Sequence, residues 1–226
     1  MDRRVRIAID GPGGAGKSTI AKGIAKSLNI DYVDTGAMYR AVAFKMQENG
    51  ISVKDEAAVR EMLDRTEIDF AGGNIFLDGK NVNDFIRTPE ISRLASDCSA
   101  LSIVREKLVA LQREMGRKKS VVMDGRDIGT NVFPDAELKF YMVASKEERA
   151  NRRFKELAAK GQETTYEEVL AEMEVRDHND MTRKLNPLTK AEDAILVDTT
   201  DMTIEEVSRY MIDIVKGGSY GDSKAV

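Results

Sequence analysis

The stretch Ile9–Thr19, IDGPGGAGKST, constrains the fold more than any other part of the chain. The short apolar, β-rich run Val5–Ile9 leads into it, and Ile20, Ile24 and Leu28 follow at near-helical spacing. Four glycines, a proline and a lysine therefore sit between a predicted strand and a predicted helix. Gly11, Gly16, Lys17 and Ser18 satisfy G-x-x-x-x-G-K-[ST] in the strand–loop–helix setting that this pattern requires. Without a Cβ, glycine lets the backbone fold around a phosphate and turn its amide hydrogens inward. The helix that follows adds unpaired amide hydrogens and the positive end of its dipole. Lys17 then reaches the β- and γ-phosphates as a point charge, and Ser18 can ligate Mg2+. Gly11, Pro12, Gly13, Gly14, Ala15, Gly16, Lys17, Ser18 and Thr19 form the candidate ATP site. A GTPase switch, a motor ATPase and a small-molecule kinase all begin in this way, so the rest of the chain must choose between them.

The downstream pattern alternates strands with helices, which implies a parallel sheet. IDYVDTG (30–36) reads as a strand and turn, and Ala37–Gln47 as a helix that stops at ENG. SVVMDG (120–125), ELKFYMV (137–143) and AILVD (194–198) read as further strands. Between them, Gly72-Gly73-Asn74 and Asp78-Gly79 supply two hairpin turns within 64–84, so a small antiparallel three-stranded insert is expected. Helical patterning resumes by about Ile91, with Ile103, Val104, Leu108, Leu111 and Met115 on a later face. Ser145/Glu148, Thr165/Glu168 and Thr203/Glu206 have capping-box spacing at three helix starts. The tail from 219 to 226 has too little apolar content to pack and is expected to be frayed.

Several polar clusters suit a small anionic ligand. Thr35 is placed to cap the helix that begins near Gly36, and Arg40 lies in its first turns, where an anion is attracted. A Tyr39–Arg40 pair serves equally as packing and surface charge. Asp124 ends a buried strand where an acidic side chain can face Mg2+ through water, and Arg126 and Asp127 follow it. Ligands of open α/β sheets bind at that edge. Arg149, Arg152 and Arg153 share a helical face, as do Arg176, Asp180 and Arg183. Each set reads as solvated helix charge, or as arginines held over a phosphate; like charges at these spacings repel unless an anion or a carboxylate sits between them. The two sets flank FKELAAKGQETTY, a helix end and a turn, and together read as a mobile helical hairpin that brings arginines over a phosphate. The single histidine, His178, has no assigned role, and the single cysteine, Cys98, reads as a packed residue.

In order along the chain, IDGPGGAGKST, DTGAMYR, DGRDIGTNVFPDA, RANRR and RDHNDMTRKLNPL resemble the bacterial cytidylate kinase (CMP kinase) family, over about residues 5–215. The resemblance implies a P-loop NTPase fold, a three-layer α/β/α core with a five-stranded parallel sheet. It implies one domain made of a core (1–63, 101–150 and 184–218), an acceptor-binding insert of about 64–100 and a helical lid of about 151–183. The implied reaction is transfer of the ATP γ-phosphoryl group to CMP or dCMP, with Mg2+, in pyrimidine nucleotide metabolism. Lys17, Arg126, Arg149, Arg153 and Asp124 would serve catalysis, Arg149 and Arg153 from the lid over the triphosphate, and Ser18 and Asp124 would serve the metal. Arg40, Arg126 and Arg176 would bind the acceptor phosphate with Thr35 and Tyr39 nearby. Ser96, Arg105 and Asp127 would read the cytosine edge with help from Arg183, and Asp180 would hold the ribose. Cytosine presents an amino donor and two acceptors, which an aspartate and Ser/Arg donors match.

Composition agrees with a small-molecule enzyme. The net charge of −4 offers no bulk attraction to nucleic acid or to a membrane surface. No run of about 18 apolar residues occurs, and the N-terminus lacks the apolar region of a signal peptide. One cysteine allows no internal disulfide, as expected of a cytoplasmic chain. A monomer is expected from the family. The rivals are another P-loop small-molecule kinase, a GTPase switch, for which the N-K-x-D motif is absent, and a module that binds ATP without chemistry.

Overall fold

The apolar run after Val5 forms strand β1 (Arg6–Asp10), and Ile7, Ala8 and Ile9 are buried on both faces, as a central parallel strand requires. This computed structural model describes residues 4–217, so the predicted frayed tail at 219–226 lies outside the described residues. The chain forms two compact units, one made of the residues through Tyr32 and from Lys119 onward, the other of Val33–Lys118.

The first unit carries the strands of a five-stranded sheet of order β2-β6-β1-β7-β8, with β2 at Asp31–Asp34 (its last two residues counted in the second unit), β6 at Val121–Gly125, β7 at Leu138–Val143 and β8 at Ile195–Asp198. β6, β1, β7 and β8 pair in parallel. The register aligns Ile9 with Asp124 on one side and Phe140 on the other, and Asp10 with Gly125 and Tyr141. Successive side chains alternate between faces. Ile7, Ile9, Val122, Phe140, Met142 and Val197 therefore form one apolar surface, covered by helices α1 (Lys17–Leu28) and α8 (Ile204–Val215) through Ile20, Ile24, Val207, Met211 and Ile214. Asp124 stands on that α1 face and Asp10 on the opposite one. Helices α6 (Lys146–Ala159) and α7 (Tyr166–Thr182) pack as a hairpin.

The second unit holds α2 (Thr35–Glu48), α3 (Glu56–Asp64), the antiparallel sheet β3-β4-β5 (Ile68–Ala71, Asn74–Leu77, Lys80–Asn81), α4 (Pro89–Cys98) and α5 (Ser102–Lys118). Both hairpin turns have the expected left-handed backbone, at Gly72 and Gly73 and at Asp78 and Gly79. On α5 the buried stripe runs through Val104, Arg105, Leu108, Val109 and Gln112, and Leu111 and Met115 are only half-buried.

Three local expectations change. The N-cap of α2 is Asp34, whose carboxylate accepts from Ala37 N at 2.8 Å, and Thr35 is already the first helical residue. The boxes at Thr165/Glu168 and Thr203/Glu206 close reciprocally, whereas Ser145 caps Glu148 N alone. Glu148 is drawn instead to Arg152 at 2.8 Å, and Ser145 N donates to Thr200 Oγ1. Ile128–Val132, after β6, winds as a π-helical turn that no periodicity announced. Among the described residues, no helix is long and apolar enough to cross a membrane.

Candidate active site

The loop after β1 is shaped by how closely it approaches its neighbours. A Cβ on Gly11, whose φ is 146°, would lie 2.0 Å from Met142 O, so the backbone can pass β7 here only as glycine. A Cβ on Gly14 would lie 3.2 Å from Arg149 O. Gly16, the N-cap of α1, offers no side-chain cap to the first-turn amide hydrogens, which suits them to an anion.

Lys17 is buried and folds back along the loop, its Nζ donating to Pro12 O at 2.6 Å. Burial pushes its ammonium down to about 7; the Arg126 guanidinium adds to this, Asp124 opposes it, Arg176 adds again, and Asp10 opposes. Ser18 Oγ donates to Asp124 Oδ2 at 2.9 Å, and Tyr32 OH donates to Asp124 Oδ1 at 2.7 Å. Ser18 and Asp124 present oxygen donors only, which fits a hard cation. Among the described residues there is no cluster of three or more His, Cys, Asp or Glu side chains able to hold a metal.

Beyond the loop, arginines and aspartates alternate. Arg126 Nε donates to Asp180 Oδ2 at 2.8 Å. Arg183 bridges Asp127 Oδ1 at 3.2 Å and Asp180 Oδ1 at 3.6 Å, with Asn186 O fixing its other edge. Arg149 donates to Gly13 O, Ala144 O and, at 2.7 Å, Asp177 Oδ2. The carboxylates that separate like charges thus come from the chain itself. Burial alone would lower the pKa of Arg126, but Asp180, Asp124 and Asp177 outweigh it and hold the guanidinium above its ordinary value. Burial would raise the Asp180 carboxyl, but Arg126, Arg176 and Arg183 hold it below the usual range. A Cβ on Gly13 would lie 3.7 Å from Arg126 Nη2 and 3.9 Å from Arg176 Nη1, so both guanidiniums reach the loop. Arg153 is less buried and pairs with Glu156 at 2.9 Å, while Arg152 turns to Thr199 O. Exposed His178 touches none of these groups through its ring in any described bond, and buried Cys98 has its thiol pushed up to about 12 by burial.

Within the second unit, Asp34 Oδ2 accepts from Arg40 at 3.0 Å and from Arg87 at 3.3 Å. Arg40 Nε is buried with no hydrogen-bond partner. The Arg105 guanidinium lies 5.8 Å from the centre of the Tyr39 ring. Ser96 is half-buried on α4, and its carbonyl accepts from Ser99 Oγ.

A glycine loop joining the central strand of a parallel sheet to the first helix, with a lysine folded along it and a Ser–Asp pair beside it, defines a P-loop nucleotide-binding protein. A family model for cytidylate kinase matches residues 7–217. A cytidylate kinase of Clostridioides difficile is 53% identical over 201 residues, covering 89% of this chain and 93% of that protein. One of Carboxydothermus hydrogenoformans is 52% identical over 215 residues, covering 93% and 97%. The chain belongs to the cytidylate kinase family. Among solved structures, an uncharacterised protein from Eubacterium ventriosum shares the fold with a TM-score of 0.55 at 14% identity, over 94% of this chain and 99% of that one.

Sequence reasoning passed over four side chains: Asp10, Tyr32 and Asp177 in the first unit, and Asp34, which gathers Arg40 and Arg87 in the second. Asp34 and Asp177 had a visible signal, since each adjoins a residue singled out, Thr35 and Arg176. Asp10 and Tyr32 had none, because their partners lie 118 and 92 residues away.

Proposed function

We propose that this cytidylate kinase family member transfers the γ-phosphoryl group of ATP to CMP or dCMP, giving ADP and CDP or dCDP. One observation carries the reading beyond ATP binding: the Arg126 and Arg176 guanidiniums reach Gly13, inside the loop suited to a triphosphate. Cations at that point can hold a second anion next to the first. Hydrolysis or nucleotide sensing needs no such pair.

The protein's part is positioning and neutralisation, and the transfer is direct and in line. The loop from Gly11 to Thr19 cradles the triphosphate, whose negative charge favours the ammonium form of Lys17 against the burial that opposes it. Bound Mg2+, held by Ser18 and by Asp124 through water, would neutralise phosphate charge. Tyr32 keeps the Asp124 carboxylate turned toward Ser18. Arg126 and Arg176 hold the acceptor phosphate, Asp180 the ribose, and Asp127 accepts from the cytosine amino group beside Arg183. In the second unit, Arg40 with Thr35 and Tyr39 is assigned to the acceptor phosphate, and Ser96 and Arg105 to the base. Arg149, at the edge of the core next to the lid, and Arg153, in the lid of about 151–183, act over the triphosphate, alongside an insert of about 64–100 and a core of 1–63, 101–150 and 184–218. Lid closure excludes water and so limits hydrolysis. Uracil has an oxygen where cytosine has the amino group, which leaves an acceptor unpaired at about 1–3 kcal/mol. The reading includes a cytoplasmic monomer that uses no nucleic acid or membrane partner.

The test is ADP release with ATP, Mg2+ and, separately, CMP, dCMP, UMP, AMP and shikimate. Rapid turnover with CMP and dCMP is expected. A preference for shikimate, or ADP release that ignores the acceptor, overturns the reading.

A further inference from the structure

A helix start leaves amide hydrogens without intrahelical partners, and an aspartate at the N-cap ordinarily folds its carboxylate back onto them. Asp127 occupies that position at the π-helical turn Ile128–Val132 but makes no side-chain cap. The cap comes from the end of β1. Asp10 Oδ1 accepts from Ile128 N at 2.9 Å and Asp10 Oδ2 from Gly129 N at 2.7 Å. Asp10 is buried. A Cβ on Gly129 would lie 3.4 Å from Asp10 Oδ2 and 3.2 Å from Lys139 Cδ, so the turn is seated closely against both. Lys139 is itself anchored to Pro134 O and Asp193. The Asp127 carboxylate accepts instead from Arg183 at 3.2 Å and from Asn131 Nδ2 at 3.0 Å.

We propose that Asp10 is a positioning residue for base selection: by capping the turn in place of Asp127, it keeps the Asp127 carboxylate off its own backbone and beside Arg183, where it can accept from the cytosine amino group. This rests on the reading above, in which Asp127 faces the base. An isolated N-cap aspartate has its own backbone as the nearest donor, and here that donor is already taken by a carboxylate from another strand. Asp10 touches neither nucleotide in this scheme; it acts through the direction of Asp127.

The test compares Asp10→Asn, Gly129→Ala and Asp127→Asn with the wild type in steady-state turnover of CMP and UMP. In Asp10→Asn one of the two amide hydrogens loses its acceptor, and Asp127 can swing onto it. The CMP over UMP preference in kcat/KM should fall about tenfold, through KM for CMP more than through kcat. A crystal structure of Asp10→Asn should show the Asp127 carboxylate on its own turn. Gly129→Ala, which lifts the amide from Asp10, should act in the same direction and serves if Asp10→Asn does not fold. Equal losses with CMP and UMP, or an Asp127 that stays on Arg183 in Asp10→Asn, overturn the inference. A wild-type preference that survives in Asp127→Asn instead overturns the base-facing role of Asp127, and the inference with it; the crystal structure separates the two failures.

Discussion

Replacing Asp177 by alanine should be among the costliest single changes in the α6–α7 hairpin. Arg149 and Asp177 have residual exposures of 4% and 6%, and their ion pair spans 2.7 Å between α6 and α7. Losing one partner of a buried pair typically costs about 3–5 kcal/mol, because the survivor remains desolvated without a counter-charge. Arg149 would keep its bonds to Ala144 O at 3.1 Å and Gly13 O at 3.0 Å, which places Asp177→Ala near the lower end, about 3 kcal/mol. Arg149→Met should cost less, because the Asp177 carboxylate still has the field of Arg126. The double variant Arg149→Met/Asp177→Leu, with no charge left to bury, should cost less than Asp177→Ala alone. Urea unfolding followed by circular dichroism gives all three values, compared at constant m. A loss below about 1 kcal/mol for Asp177→Ala, or a double variant that loses the sum of the singles, would refute the argument that the pair acts as one buried unit. Since Arg149 also holds Gly13, the activity of folded Asp177→Ala measures how much loop geometry depends on this contact.

Lys17→Met should lower kcat by about 100-fold or more in a coupled ADP assay, the usual scale for a lost electrostatic stabiliser. Its thermal midpoint should rise, because burial disfavours the charged ammonium in the native state. Burial raises Asp10 from 3.8 to about 6, so between those values the native state holds a proton that the unfolded chain has released. The stability of the wild type relative to Asp10→Asn should therefore fall as pH rises through that window, by up to about 1.4 kcal/mol per pH unit, and level off above it; a flat difference in urea titrations would contradict this. Thr203→Ala removes a closed capping box at the start of α8 and should cost about 1 kcal/mol, read as a drop of about 2–4 °C in Tm.

What could be read in advance was whatever one element encodes by itself. The glycine loop, the alternation of strands and helices, and the Gly-Gly and Asp-Gly turns are local statements about φ, burial and period, and they hold in the structure. The misplaced features depend on a competitor from elsewhere. Thr35 and Asp34 are both cap-forming residue types, but only the aspartate can also gather Arg40 and Arg87. Ser145 and Glu148 have the spacing of a closed box, but Arg152 and Thr200 take the two groups that would complete it. The π-helical turn has no periodicity to reveal it, because its first amide hydrogens are satisfied from β1.

The same division runs through the site. The places of Lys17 and Ser18 are legible because they follow from position in one loop. Asp177 was within reach: it lies three residues before Asp180 on α7, hence on the same stripe as the arginine set. Counting only Arg176, Asp180 and Arg183 hid the residue that pairs with α6. A run that mixes an arginine with aspartates, such as RDHND, is therefore better read as half of an array whose other half lies on a partner element. Counting its charges then asks a sharper question: which arginine has no acid three or four positions away on its own helix. Arg149 is such a residue, and its acid stands 28 positions later.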